Sequence, residues 1–362
     1  MTLLHTATQL LLLSSATIQP ELPGQRFTGQ HSVPSDGLCT TLGVTRQAMI
    51  GHDDSVNCLD ALPERPLLIS GSDDGSARMW DLRTLQCVLG FEARLRPGAI
   101  ATPVNSIAIS PAYEHLLYAA SGPAVLLFDM RMPAVEHPVM VMVQETASSA
   151  QSLGDQEISQ ISMHPSGHQL AAVDEGGGVS IVHLNHGDAG DQIVTRLATQ
   201  HRSLGSCVCW RSLYPQLHNQ VFSGGFDMKV ILHKLDDRRQ DEAEPPVEFY
   251  MNERIRGRRS TRKKTNAGQS QQGTMSGDIF ELGDSQGVPV INPPFVHALD
   301  TTYDGRTLAV ACGDGALRTY SLNPDGSVER FSQRAFQRHR RRTTCVAFPR
   351  VSAQYRCLTG VV

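Results

Sequence analysis

Lysine is nearly missing from this chain. Only Lys229, Lys234, Lys263 and Lys264 occur, so 28 of the 32 basic residues are arginines. A skew spread over the whole sequence reflects composition, and it makes an arginine alone weak evidence of a site. Charged residues reach only 19%, below the roughly 25% of an average globular protein. With a net charge of −4, the molecule as a whole is no generic binder of polyanions. No apolar run approaches the roughly 18 residues of a membrane-spanning helix, so no membrane partner is expected. Eight cysteines in 362 residues are too dilute for a disulfide framework. Most lie in apolar, strand-like segments such as VNCLD and CVAF. They read as small buried hydrophobes in a reducing compartment, the cytoplasm or the nucleus. None of the eight asparagines begins an Asn-x-Ser/Thr sequon. Cys207-x-Cys209 has no second close pair to complete a metal site, and alternation along a strand puts both thiols on one face. The phosphate loop GxxxxGK[ST] and the zinc motif HExxH are absent too. The expectation is a protein without catalysis, cofactor or metal.

Turns, by contrast, are frequent, with 31 glycines and 20 prolines. The segment 51–83, GHDDSVNCLDALPERPLLISGSDDGSARMWDLR, begins with an alternating strand around Val56 and Cys58. A Pro-containing turn, a strand LLISGS, an Asp-Asp-Gly turn and a strand SARMWD follow. Two strands joined across Asp-Gly are a hairpin signal. The frame recurs four more times, at VNSIAIS (104–110), ISQISMHPSG (158–167), SCVCWR (206–211) and VHALDTTYDG (296–305), each with two strands after it. TTCVAF (343–348) and YRCLTGV (355–361) begin a sixth copy. The place of Trp80 is taken in turn by Phe128, His183, His233 and Tyr320, at intervals of 48, 55, 50 and 87 residues. A blade-sized repeat needs roughly 40–45 residues, so the last interval holds an insertion. A unit of three or four short strands cannot bury both its faces alone and must stack on copies of itself. The economical solution is all-β, a β-propeller with the first strand of each blade near the axis.

The Gly-His to Trp-Asp frame resembles a WD (WD40) repeat. In that family a His before strand one, a Ser or Thr in strand two, an Asp in the next turn and the Trp of strand three form a hydrogen-bonded tetrad. His52, Ser70, Asp74 and Trp80 match it. Asp227 and Asp314 stand six residues before His233 and Tyr320, as Asp74 does before Trp80. His201 and His339 stand where a blade's lead-in His would be. The second and third copies have Gly122 and Gly177 at the Asp offset, so their tetrads are expected to be broken. WD rings normally have about seven blades. Removing a leader of about 45 residues and an insertion of about 55 leaves roughly 260, or between five and six blades. The repeat count therefore predicts five complete blades, a half blade and an unclosed ring that looks truncated at its C-terminus. LGVTRQAMI (42–50) is placed to supply an outer closing strand.

Two stretches, SGGFDMKVILHKL (223–235) and VINPPFVHALDTTYDGRTLAVACGDGALRTYSL (290–322), resemble the fourth and fifth blades of the WD repeat-containing protein 53 family. There too an acidic, variable insertion separates these blades. The resemblance covers residues 48–362 and implies an interaction scaffold whose partners are other proteins. It adds one motif. Trp80-Asp81-Leu82-Arg83 is a WDxR box, and Asp129 and Arg131 repeat it with Phe128 in place of Trp. WD proteins carrying the box are similar to substrate receptors of the cullin-4 RING ubiquitin ligase, where it docks on the ligase's adaptor. The alternative is that Trp-Asp-x-Arg is simply how many WD repeats end.

The domain plan is a poorly ordered leader over 1–45 and a propeller over 46–362, with a disordered acidic and basic insertion at 237–290 inside it. The leader holds a short Leu run, but no Lys or Arg precedes it as in a signal peptide. The insertion opens acidic, DDRRQDEAEPPVE, and turns basic at Arg254, Arg256, Arg258, Arg259, Arg262, Lys263 and Lys264. That composition is typical of a disordered loop. The basic run reads as a nuclear localisation signal, a phosphate contact or a solvated loop. No aromatic residue interleaves with it, which argues against base stacking. Arg338, Arg340, Arg341 and Arg342 form a second basic cluster. An RNA- or chromatin-binding propeller using these arginines stands as the alternative to a protein scaffold.

Overall fold

The first three strands of each four-stranded sheet follow the same local logic: five to seven residues, mostly β-branched, aliphatic or small, cut by turns that Gly, Asp or Pro make cheaply. A computed structural model describes residues 49–62, 65–96, 98–132, 138, 140–142, 156–184, 193–211, 219–235, 242–251, 292–323, 334–337, 343–348 and 358–361. Every regular element among them is a strand. No helix among the described residues is long and apolar enough to cross a membrane.

The first sheet comprises β1 (Val56–Ala61), β2 (Leu67–Ser72), β3 (Ser76–Asp81) and β4 (Gln86–Glu92). The second has β5 (Val104–Ile109), β6 (Leu116–Ser121), β7 (Ala124–Asp129) and β8 (Met140–Met142). The third has β9 (Ile158–Met163), β10 (Gln169–Asp174), β11 (Val179–His183) and β12 (Ile193–Arg196). The fourth has β13 (Gly205–Trp210), β14 (Gln220–Gly225), β15 (Lys229–Leu235) and β16 (Glu242–Tyr250). The fifth has β17 (Val296–Thr301), β18 (Thr307–Cys312), β19 (Ala316–Ser321) and β20 (Arg334–Gln337). The sixth pairs β21 (Thr343–Ala347) with β22 (Leu358–Val361). All are antiparallel meanders in chain order, so the expected all-β repeat architecture is found, with five four-stranded blades and a two-stranded sixth sheet among the described residues.

The apolar cores lie between the blades. Phe91 of the first blade and Phe128 of the second meet at 5.4 Å in a shared cluster with Ile69, Leu117 and Leu126. Four further clusters join blades two and three, three and four, four and five, and five and the sixth sheet. A second strand thus has cover on both faces, which is why all six residues of β14 are buried. Two close approaches demand glycine: a Cβ at Gly71 or Gly224 would collide with Val104 or Val296 of the next blade.

Each first strand is also a sheet edge, and its free backbone groups are met by side chains of the neighbouring blade. Asn57 Nδ2 donates to the Val104 carbonyl at 3.2 Å, Asn105 Nδ2 to that of Ile158 at 3.0 Å, and Ser206 Oγ to that of Val296 at 2.6 Å. In the other sense, Asp60 accepts from the N–H of Ile109, Ser106 Oγ from Ile161, Gln160 from Val208 and Asp300 from Phe348. Each of the five junctions has at least one such link.

The expected boundary of the insertion needs correction. Residues 242–250, assigned from their charge to the disordered segment, form β16, the outer strand of blade four. An outer strand faces solvent and tolerates Glu, and its two prolines fit an edge where one N–H row is unpaired. Glu248 is fixed by Lys229 Nζ at 2.8 Å. The leader, residues 42–48, His339, the arginines of the second basic cluster and residues 237–241 and 252–290 of the insertion lie outside the described residues.

Blades four and five are also joined by Arg211, which is 1% exposed. It donates to the Gly305 carbonyl at 2.7 Å, Gln220 Oε1 at 2.8 Å and the Asn323 carbonyl at 2.8 Å. Arg211→Met strands these acceptors, and urea denaturation should show a loss of about 2–4 kcal/mol. An unchanged midpoint would refute a structural role for this arginine.

Candidate functional site

Two kinds of site were expected, the tetrads inside the blades and the Asp-x-Arg boxes at their rims. In blade one the tetrad is complete. Trp80 Nε1 donates to Ser70 Oγ at 2.8 Å, Ser70 Oγ lies 2.6 Å from His52 Nε2, and His52 Nδ1 lies 2.8 Å from Asp74 Oδ2. The direction of the chain follows. Ser70 receives the indole proton and gives its own to Nε2, so His52 carries its hydrogen on Nδ1 and donates to the carboxylate. Burial pushes the His52 pKa down and keeps the ring neutral. Burial works against the charge on Asp74, but hydrogen bonds from Ser76, His52 and the Asp53 N–H outweigh it and hold its pKa at about 2.

Blade four builds the same chain with a different donor. His201 Nδ1 lies 2.9 Å from Asp227, His201 Nε2 lies 2.9 Å from Ser223 Oγ, and His233 Nε2 lies 3.0 Å from that hydroxyl. His233 supplies from Nε2 the N–H that Trp80 supplies from its indole. Asp314 of blade five is placed otherwise. Val310 stands where Ser70 does, and Asp314 forms a two-pronged ion pair with Arg318 at 3.0 and 2.6 Å, with both side chains buried. The expected tetrad membership of Asp314 is therefore corrected to a carboxylate–guanidinium pair. Arginine from the blade's own third strand fills the role of the lead-in His.

The third copy corrects the sequence register. Leu68 pairs with Trp80 across β2 and β3, and Leu170 pairs with Val182 across β10 and β11. Val182, not His183, is thus the equivalent of Trp80. The positive-φ glycines agree, since Gly177 (φ 85) matches Gly75 (φ 78) and not Asp74. A carboxylate is still present, because Asp174 accepts from the Gly178 N–H at 2.7 Å and from Arg196 at 2.9 Å. In blade two, Phe128 is fully buried and Ala119 stands at the serine position, so packing alone holds that place.

The boxes lie past the far end of the third strands. Arg83 folds back on Asp81, its own N–H donating at 2.8 Å, Nε at 3.1 Å and Nη2 at 2.9 Å. Arg131 repeats this on Asp129 at 3.0, 2.9 and 2.6 Å. The arginine beside each aspartate holds its carboxyl at about 2. The Arg83 and Arg131 side chains are 72% and 66% exposed, so each planar fork is fixed by its carboxylate yet open to solvent. Trp80, expected as a docking residue, is 2% exposed and belongs to the tetrad beneath. The exposed parts of the boxes are Arg83 and Arg131 with the edges of their aspartates.

Cys207 and Cys209 lie in the core between blades four and five. Burial pushes the Cys207 thiol up to about 12 and Cys209 well above its ordinary value, so both stay protonated. Among the described residues no group of three His, Cys, Asp or Glu could hold a metal ion. The basic run Arg254, Arg256, Arg258, Arg259, Arg262, Lys263 and Lys264 lies outside the described residues. The links between first strands and the role of Arg211 escaped the sequence reading. Only the recurrence of Val-Asn at 56–57 and 104–105 hints at the links.

Comparison with known proteins agrees with this geometry. The WD domain, G-beta repeat family matches residues 43–81. The WD repeat-containing protein 53 homolog of Dictyostelium discoideum is 23% identical over 269 residues, covering 74% of this chain and 62% of the relative. The chain therefore spans less than two thirds of that relative's length. Human ribosome biogenesis protein BOP1 is 39% identical over 79 residues, 21% of this chain and 10% of BOP1. Among solved structures, the β-propeller domain of Cps50 (Swd1) from Myceliophteria thermophila superposes with a TM-score of 0.50 at 15% identity, covering 81% of this chain and 76% of that one.

Ser70→Ala leaves the Trp80 N–H and His52 Nε2 without their partner and should cost about 2–4 kcal/mol in a denaturant melt. The pH dependence has a definite sign. The unfolded chain protonates His52 below about pH 6.5, while the folded chain resists, so this contribution to stability falls as the pH drops from 7 to 5. The Asp74 contribution is present above about pH 4 and is lost on further acidification towards 2. Melting temperatures should decline over both ranges, and His52→Asn should reduce the decline between pH 7 and 5. An equally steep decline in that variant would show that His52 is not the group responsible.

Proposed function

We propose that the chain is a WD40-repeat β-propeller working as a non-catalytic interaction scaffold that presents a substrate to the cullin-4 RING ubiquitin ligase. WD-repeat relatives support the scaffold role. The observation that carries the finer reading is the pair of matched forks. Arg83 and Arg131 stand two residues past the third strands of adjacent blades, each fastened to the aspartate that ends its strand and largely open to solvent. A guanidinium held in place loses less side-chain freedom on binding than a free one. Two equivalent forks on adjacent blades suit a partner that presents carboxylates or backbone carbonyls, and the family resemblance names the ligase adaptor as that partner.

Co-precipitation tests this. Wild type should recover the adaptor, and Arg83→Ala combined with Arg131→Ala should lower recovery by about tenfold or more, in line with the loss of interface arginine anchors. The melting temperature should stay unchanged, because exposed ion pairs contribute little to folding. Equal recovery by wild type and variant, or recovery by neither, would sink the ligase reading. A second reading, a scaffold in another assembly, draws on the likeness to human ribosome biogenesis protein BOP1. Co-sedimentation with ribosome precursors that survives the double substitution would favour it.

A further inference from the structure

The opposite end of the blades carries a surface that neither the boxes nor the tetrads use. In four blades the first residue after the second strand donates its N–H to a carbonyl just before the first strand. The pairs are Asp73 to Ser55, Glu175 to Glu157, Phe226 to Leu204 and Gly313 to Phe295. One repeated bond thus sets these residues around the mouth of the ring, beside the innermost strands. Their chemistry divides the mouth in two. Across blades one to three it is acidic. Asp73 accepts from Asn57 at 2.6 Å, Glu157 accepts from Asn105 at 2.8 Å, and Glu175 is exposed. Among the described residues none of these three carboxylates forms an ion pair, so their charge is not neutralised. Across blades four and five it is aromatic. Phe226 stacks on Phe295 at 5.0 Å with 13° between the rings and meets His297 edge-on at 5.3 Å. Phe226 stands where blade one has Asp73, and it is held half-buried by the turn.

We propose that this mouth binds an arginine- and lysine-rich segment of a partner protein. Cations are drawn to aromatic faces and to unpaired carboxylates alike. The same carboxylates repel phosphates, which disfavours nucleic acid at this end. The mouth and the boxes lie at opposite ends of β3, whose six residues span about 20 Å. The inference deepens the receptor reading by naming the substrate class. Its test does not involve the adaptor, so either can fail alone.

The probe is a fluorescein-labelled peptide of alternating Arg and Gly, followed by anisotropy on the full chain. It should bind wild type with an affinity that falls with salt. Asp73→Asn combined with Glu175→Gln should weaken binding by about tenfold. Phe226→Leu, which keeps the apolar packing but removes the aromatic face, should weaken it by about threefold or more. Unchanged melting temperatures would confirm that both variants fold. Binding of the peptide to either variant as tightly as to wild type would overturn the proposal. So would equal binding of a Glu-Gly peptide. Binding seen only after deletion of residues 254–264 would assign the mouth to the chain's own basic run and overturn the partner reading.

Discussion

A four-stranded sheet with apolar side chains on both faces is unstable in water by itself, and every other feature of this molecule answers that constraint. The buried area lies between sheets, not within them, so each blade is held by its neighbours. Phe91 and Phe128 illustrate this: they come from different repeats and share one cluster. Stacking leaves one problem unsolved, the bare edge of each first strand. Asn57, Asn105 and Ser206 meet it by donating to the next strand's carbonyls, while Asp60, Ser106, Gln160 and Asp300 accept from its N–H groups. Dispersion and apolar burial bring the blades together. These directional bonds set how far one first strand slides along the next.

Within a blade the tetrad position shows what is conserved physically and what is free. In blades one and four the fixed element is a serine hydroxyl between a ring N–H and an imidazole acceptor. Indole and imidazole are interchangeable as the donor. Blade five dispenses with the serine and keeps only a carboxylate with a cationic partner, Arg318. Blade two keeps neither and fills the space with Phe128. A buried polar group must be matched or absent, and both solutions occur here.

The repeat and its blade count were legible in the sequence because turn residues punctuate it so regularly. The complete tetrad of blade one was legible for the same reason, since four residue types fell at fixed offsets. Blade three differs by one residue from the register its sequence suggests. Its turn, Asp174 to Gly178, contains three consecutive glycines, and counting from the missing aspartate gave no fixed point. Only pairing of Leu170 with Val182 fixes the register. The strand β16 is not legible because its glutamates signal solvent, and an outer strand and a disordered loop are equally solvated. The folding of Arg83 onto Asp81 was not legible, because a sequence gives neighbours but not which of them a flexible side chain selects.

Because each blade is an uninterrupted meander, blade four is complete at β16 before blade five begins at β17. Closing a flexible loop costs free energy that grows only with the logarithm of its length. Sequence added between two finished sheets therefore costs little more than this closure term, while an insertion inside a two-residue hairpin turn would separate two paired strands. The junction between blades four and five is a place where this architecture can acquire sequence by accretion. It would serve equally as a port for grafting a foreign domain without disturbing the ring.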